Sequence, residues 1–160
     1  MTIETGAKLP SVTLKELTAD GMQDVSTDAL FGQGKSVLFA VPGAFTPTCS
    51  AKHVPSFVIN AEALHAKGVG VIACVSVNDA FVMSAWGKDQ HAAGKVRMLA
   101  DGNGELTKAL GLDADLSAYG LGLRSQRYAM VIEDGIVTLL HVEQGGAYEV
   151  SSAEAVLAAL

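Results

Sequence analysis

The sequence predicts an α/β fold, a mixed central β-sheet flanked by helices, and three observations predict it. Ser36–Val41 and Val69–Ser76 are near-continuous apolar runs, as strands buried on both faces tend to be, so both read as central and parallel. Between them Val54, Phe57, Val58, Ala61 and Leu64 recur at i, i+3, i+4, i+7 and i+10, which lays one apolar stripe along a helix ending near Lys67-Gly68. Downstream, Asp134-Gly135 separates Tyr128–Glu133 from Ile136–Val142; both turn residues tolerate positive φ, so the segment reads as an antiparallel hairpin. A parallel βαβ unit and an antiparallel hairpin in one chain make the sheet mixed.

The other elements follow in chain order. Ser11–Leu17 and Gly21–Val25 read as a small peripheral hairpin. Asn78 can cap a helix running through Trp86, with Val82, Ala85 and Trp86 on one face, because an Asn side chain accepts from first-turn amides. Val96–Ala100 reads as a strand, Asp101–Gly104 as a turn, and Leu106, Ala109 and Leu110 as a short helix stopped by Gly111. Ser151, with Glu154 three residues on, has capping-box spacing and opens a closing helix over Ala153–Leu160.

At 160 residues the chain is expected to form a single domain, residues 1–160, large enough to fold without disulfides. Eleven basic against seventeen acidic residues, with the basic ones scattered, make nucleic acid and anionic membranes poor partners. The longest apolar runs are far short of the roughly 18 residues that suggest a bilayer span. Met1–Pro10 carries Glu4 and Lys8 and lacks the apolar core of a secretory signal. A cytoplasmic location, with both cysteines reduced, is therefore expected.

Pro42-Gly43-Ala44-Phe45-Thr46-Pro47-Thr48-Cys49 carries the most chemical information. It joins the first central strand to the following helix, at the carboxyl end of the sheet where ligands meet helix N-termini. A cysteine in that first turn faces unpaired amides and the helix dipole, which favour the thiolate. A buried, inert thiol is the competing reading.

Pro42, Thr46 and Cys49 match the PxxxTxxC signature of peroxiredoxins, and PGAFTPTCSAKHVPSF resembles the type II, peroxiredoxin-five-like branch. Val71–Trp86, Leu99–Leu112, Gly122–Gly135 and Val142-Glu143 resemble that branch in the same order, so the resemblance spans nearly the whole chain. It implies a thioredoxin-like fold and a thiol-dependent peroxidase for hydrogen peroxide and organic hydroperoxides. By resemblance Cys49 is the nucleophile, which becomes a sulfenic acid, Thr46 and Arg127 stabilise the reacting oxygens, and Pro42 shields the thiol from water. Read from the residues alone, Thr46 could instead cap the helix and Arg127 could pair with a surface carboxylate. Arg124 is similar to a second family arginine, with ion pairing as its alternative.

Cys74 lies inside an apolar run and reads as structural. The stretch Gly145–Ser152, where some relatives carry a resolving cysteine, has none. Glutathione, glutaredoxin or thioredoxin is then the expected reductant, glutathione or glutaredoxin first. His53, four residues after Cys49, reads as a local hydrogen-bonding residue; a hydrolase base lacks an evident third group, and a zinc site lacks ligands. No cofactor or metal is implied. The branch implies a homodimer, with the loops at Thr46 and Asp79–Phe81 at the two-fold interface. A non-catalytic thioredoxin-fold binding or chaperone module is the alternative function.

Overall fold

The computed structural model describes residues 1–160. Strands β1 (Thr13–Thr18) and β2 (Gly21–Ser26) form the peripheral hairpin, followed by helix α1 (Thr27–Phe31) and strand β3 (Lys35–Ala40). After the Pro42–Thr48 loop come a wide π-helical turn (Cys49–His53), α2 (Val54–Ile59), α3 (Ala61–Ala66), β4 (Val69–Ser76), α4 (Ala80–Asp89) and β5 (Arg97–Ala100). Helix α5 (Glu105–Leu110), the short pair β6 (Asp113–Asp115) and β7 (Leu123–Ser125), β8 (Tyr128–Glu133), β9 (Ile136–Val142) and α6 (Ala153–Ala159) complete the chain.

The main sheet has the order β2-β1-β5-β4-β3-β8-β9. Strands β3, β4 and β5 pair in parallel, and the remaining pairs are antiparallel, so the sheet is mixed. This is the thioredoxin-like α/β arrangement. Central strands are covered on both faces, which their near-continuous apolar sequences require. Val37, Phe39, Cys74, Ala129 and Val131 face one core with Phe57, Met83 and Trp86; Leu38, Ala40, Ala73, Val75, Tyr128 and Met130 face the other with Phe31, Leu106 and Leu110. In the β8–β9 turn Asp134 and Gly135 both adopt positive φ, 51° and 81°, as a hairpin of this length demands.

Three local expectations are corrected. The helix after β4 is capped by Asp79, whose carboxylate accepts from the Val82 amide at 2.8 Å. Asn78 instead accepts from the Ala44 amide at 3.0 Å and from the Ser76 hydroxyl at 2.6 Å, tying the Cys49 loop to the end of β4. The buried face of α4 is Ala80, Met83, Trp86 and Gly87, leaving Val82 part-buried and Ala85 exposed, since the larger apolar side chains Met83 and Trp86 turn into the core. The closing helix is capped by Ser152, whose hydroxyl accepts from Ala155, because the Ser151 hydroxyl is engaged by Glu143.

The single helix expected after Cys49 is three pieces. Pro55 has no amide to give the carbonyl four residues back, and just before it the ladder widens, with the Val54 amide bonding the Cys49 carbonyl. Asn60 then bends the chain, its side-chain amide donating to the Ser56 carbonyl at 2.8 Å.

Candidate active site

Two side chains converge on the Cys49 sulfur. Thr46 Oγ1 lies 2.8 Å from Sγ and 2.7 Å from the Gly43 carbonyl oxygen. One hydroxyl has one proton. While sulfur carries its proton, the S–H can point at Oγ1 and the threonine proton at Gly43; once sulfur is ionised, the threonine proton can turn to it. Arg127 supplies the second donor, Nη2 to Sγ at 3.1 Å. It immediately precedes β8 and is held between two ladders: the Gln126 amide bonds the Leu112 carbonyl and the Glu143 amide bonds the Arg127 carbonyl.

Cys49 has no exposed surface, while Pro42 and Arg127 line an open cleft of about 580 Å³ with Leu116, Tyr119 and Gly145. The loop reaching the site is tight. Phe45 adopts φ 64°, a left-handed conformation that costs a non-glycine residue of order 1–3 kcal/mol and that the surrounding contacts must hold. A Cβ at Gly43 would come within 3.1 Å of both Thr46 Cγ2 and Arg124 Nη1. Arg124 donates from Nε to the Leu121 carbonyl at 2.9 Å and pairs with no carboxylate. Arg127 likewise has no carboxylate partner.

Behind the arginine lies a polar chain that extends well beyond the sequence motif. Arg127 Nη1 donates to His53 Nδ1 at 2.8 Å, which places the imidazole proton on Nε2, facing the Ser151 carbonyl at 2.8 Å. Burial, and then the Arg127 charge, push the His53 imidazole down to about 3, so it stays neutral at physiological pH. Tyr148 closes over this pair: its ring lies 5.9 Å from the guanidinium carbon and 5.3 Å from the imidazole, and its hydroxyl donates to the Lys52 carbonyl at 3.2 Å.

The segment carrying Tyr148 and Ser151 is fastened by Glu143, whose carboxylate accepts from the amides of Glu149, Val150 and Ser151 and from the Ser151 hydroxyl. Burial pushes this carboxyl up, but those donors outweigh it and hold the group below its ordinary value. A carboxyl lowered in the folded state contributes stability above its unfolded range, and the contribution disappears as pH falls through the folded value. Glu143→Gln should therefore be less stable than the parent at neutral pH, with the gap closing on acidification; denaturant unfolding at a series of pH values measures it. In the sequence Glu143 stands out only by resemblance, and nothing there signals the link to His53.

Cys74 pairs with Phe39 in the sheet register and is fully buried. Burial, then the neighbouring Cys49, push its thiol well up, against the opposing pull of Arg127. Such a thiol makes a poor nucleophile.

Comparison with known proteins shows what the chain resembles as a whole. A family model described as Redoxin matches residues 4–157. The chain is 56% identical over 165 residues to the chloroplastic peroxiredoxin-2E-2 of Oryza sativa subsp. japonica, covering 99% of this chain and 73% of that one. It is 52% identical over 162 residues to the chloroplastic peroxiredoxin-2E of Arabidopsis thaliana, covering 99% and 69%. A reduced peroxiredoxin from Vibrio vulnificus, solved in complex with hydrogen peroxide, superposes with a TM-score of 0.95 at 55% identity, covering 99% of each chain. The cytoplasmic location expected from the sequence is overturned by the two plant relatives, which are chloroplastic. The expectation rested on the lack of an apolar signal core, which speaks to secretion alone.

Proposed function

The chain belongs to the peroxiredoxin family, in its type II branch, and is a thiol peroxidase that reduces hydroperoxides at the expense of a thiol reductant; from that premise we propose that Cys49 is the nucleophile, assisted by Thr46, Arg127 and Pro42, within a single domain of residues 1–160. One observation carries the assignment: Thr46 Oγ1 and Arg127 Nη2 both lie within hydrogen-bond reach of Cys49 Sγ. The main sheet supports the single domain, since the strands nearest the two ends of the chain, β1 and β9, belong to it.

The thiolate attacks one peroxide oxygen, the O–O bond breaks, and the second oxygen leaves as alkoxide or hydroxide and takes up a proton. Cysteine is oxidised to sulfenic acid and the hydroperoxide is reduced to alcohol or water. Negative charge moves from sulfur to the leaving oxygen. A guanidinium that keeps its charge throughout, together with a hydroxyl that can redirect its proton, stabilises both ends of that movement. Pro42, on the cleft wall, limits the access of water.

Glutathione or glutaredoxin is the reductant in this reading. A thiolate attacks the sulfenic sulfur, water leaves, and a mixed disulfide forms; a second thiolate attacks the external sulfur and returns Cys49. Burial of Cys74 supports an external thiol over an internal one. Cys74→Ser should therefore turn over within about twofold of the parent, a difference below about 0.5 kcal/mol of barrier. Peptide masses after one equivalent of peroxide and excess glutathione should place a glutathione adduct on Cys49. A quantitative Cys49–Cys74 disulfide, with loss of turnover in Cys74→Ser, would instead establish an intramolecular cycle.

A homodimer also belongs to this reading. Phe45 and Phe81 are large apolar side chains left exposed on two segments joined through the Ala44–Asn78 hydrogen bond. Isologous packing of these segments would bury both. Sedimentation equilibrium of the reduced protein at micromolar concentration should give a dimer, and Phe81→Asp should shift it to monomer.

A further inference from the structure

His53 takes no part in the chemistry above, although it is fully buried and its two ring nitrogens are both engaged by groups of the site. Three aromatic rings surround it. Phe39 and Phe57 pack against it with centroids at 4.9 and 5.7 Å, and Tyr148 meets it from the side of the Glu143-fastened segment at 5.3 Å. The ring cannot rotate without losing these contacts, so the position of its Nδ1 lone pair is fixed by the core.

An arginine side chain has several rotatable bonds, and a single contact to sulfur does not determine where its fork lies. A second contact on the other terminal nitrogen does. The acceptor must also leave the guanidinium charge available to sulfur, and a neutral imidazole does this where a carboxylate would largely neutralise it.

We propose that His53 is a positioning residue for the peroxidase reaction: Nδ1 accepts from Arg127 Nη1, Nε2–H is held by the Ser151 carbonyl, and Arg127 Nη2 is thereby kept on the Cys49 sulfur. The inference rests on the assignment of Cys49 and Arg127 above. It extends the site beyond Cys49, Thr46, Arg127 and Pro42 to a chain, Cys49–Arg127–His53–Ser151, whose far end is fastened by Glu143. The lowered basicity of the imidazole agrees with it, since a protonated ring would offer Arg127 no lone pair and would add a like charge beside it.

Two substitutions separate the two nitrogens. His53→Asn can place its amide oxygen where Nδ1 stood, keeping the acceptor for Arg127 and losing the tether to Ser151. His53→Gln reaches the Nε2 position, keeping the tether and losing the acceptor. Oxidation of Cys49 by limiting peroxide, followed by stopped-flow fluorescence of the single tryptophan, reads the first chemical step. His53→Gln should slow it about tenfold, the loss of one charge-assisted hydrogen bond, and His53→Asn should recover most of that rate. Equal rates in the two variants, or a faster His53→Gln, would overturn the proposal.

A measurement on the unaltered protein guards against variants that fold poorly. Nitrogen-15 imidazole resonances should show His53 as the Nε2–H tautomer without titration between about pH 5 and 8. An Nδ1–H tautomer, or titration in that range, would overturn the proposal even with full peroxidase activity. Failure of the unaltered protein to oxidise Cys49 would instead refute the catalytic assignment, so the two failures are distinguishable.

Discussion

Cys49→Ser should consume no hydroperoxide above the uncatalysed background while keeping the fold. Serine is nearly isosteric, and its hydroxyl can exchange hydrogen bonds with Thr46 and Arg127 in place of sulfur. The reaction, however, needs an ionised, polarisable nucleophile to attack peroxide oxygen, and a serine hydroxyl is scarcely ionised near neutral pH. Peroxide consumption with glutathione and glutaredoxin present measures the first claim, and circular dichroism with thermal unfolding the second. Measurable turnover in a folded Cys49→Ser protein would refute the assignment of the nucleophile, and Cys74 would then be the thiol to test.

Arg127→Lys should slow sulfenic acid formation by roughly 10–150-fold, corresponding to about 1.5–3 kcal/mol for a hydrogen bond to a charged group. Charge is conserved in this variant. What is lost is the fork, because one ammonium cannot reproduce two terminal nitrogens set on Cys49 Sγ and His53 Nδ1 at once. Thr46→Val nearly keeps the volume, removes the hydroxyl with its switchable proton, and should cost less, about tenfold. Trp86, whose indole N–H donates to the Ser50 hydroxyl at 3.0 Å beside Cys49, provides the fluorescence signal for both. Parent rates in both variants would remove Thr46 and Arg127 from the mechanism.

The central strands and the β8–β9 turn were legible to within a residue, because burial on both faces leaves a continuous apolar run and a two-residue turn demands residues tolerant of positive φ. Helix caps were less so. Ser151 and Ser152, or Asn78 and Asp79, are neighbouring residues of equal capping ability, and the choice between them is made by partners far away in sequence: Glu143 for Ser151 and Ala44 for Asn78. Helix α1 and the β6–β7 pair, at five and three residues per element, are too short to show a period.

By itself the sequence determined the sheet's core strands and the place of Cys49 at the start of a helix, and the resemblance of its PxxxTxxC pattern to peroxiredoxins implied the kind of chemistry. These depend on neighbours in the chain, and local patterning records them. Only the tertiary structure decided which side chains meet the sulfur and what holds them there. Cys49 and Arg127 are 78 residues apart, Arg127 and His53 are 74, and His53 and Ser151 are 98. A single residue in a sequence carries no mark of its partner across such separations. The partner is set by strand order, by the short β6–β7 ladder that places Arg127, and by a carboxylate that folds the 149–151 segment back onto the site.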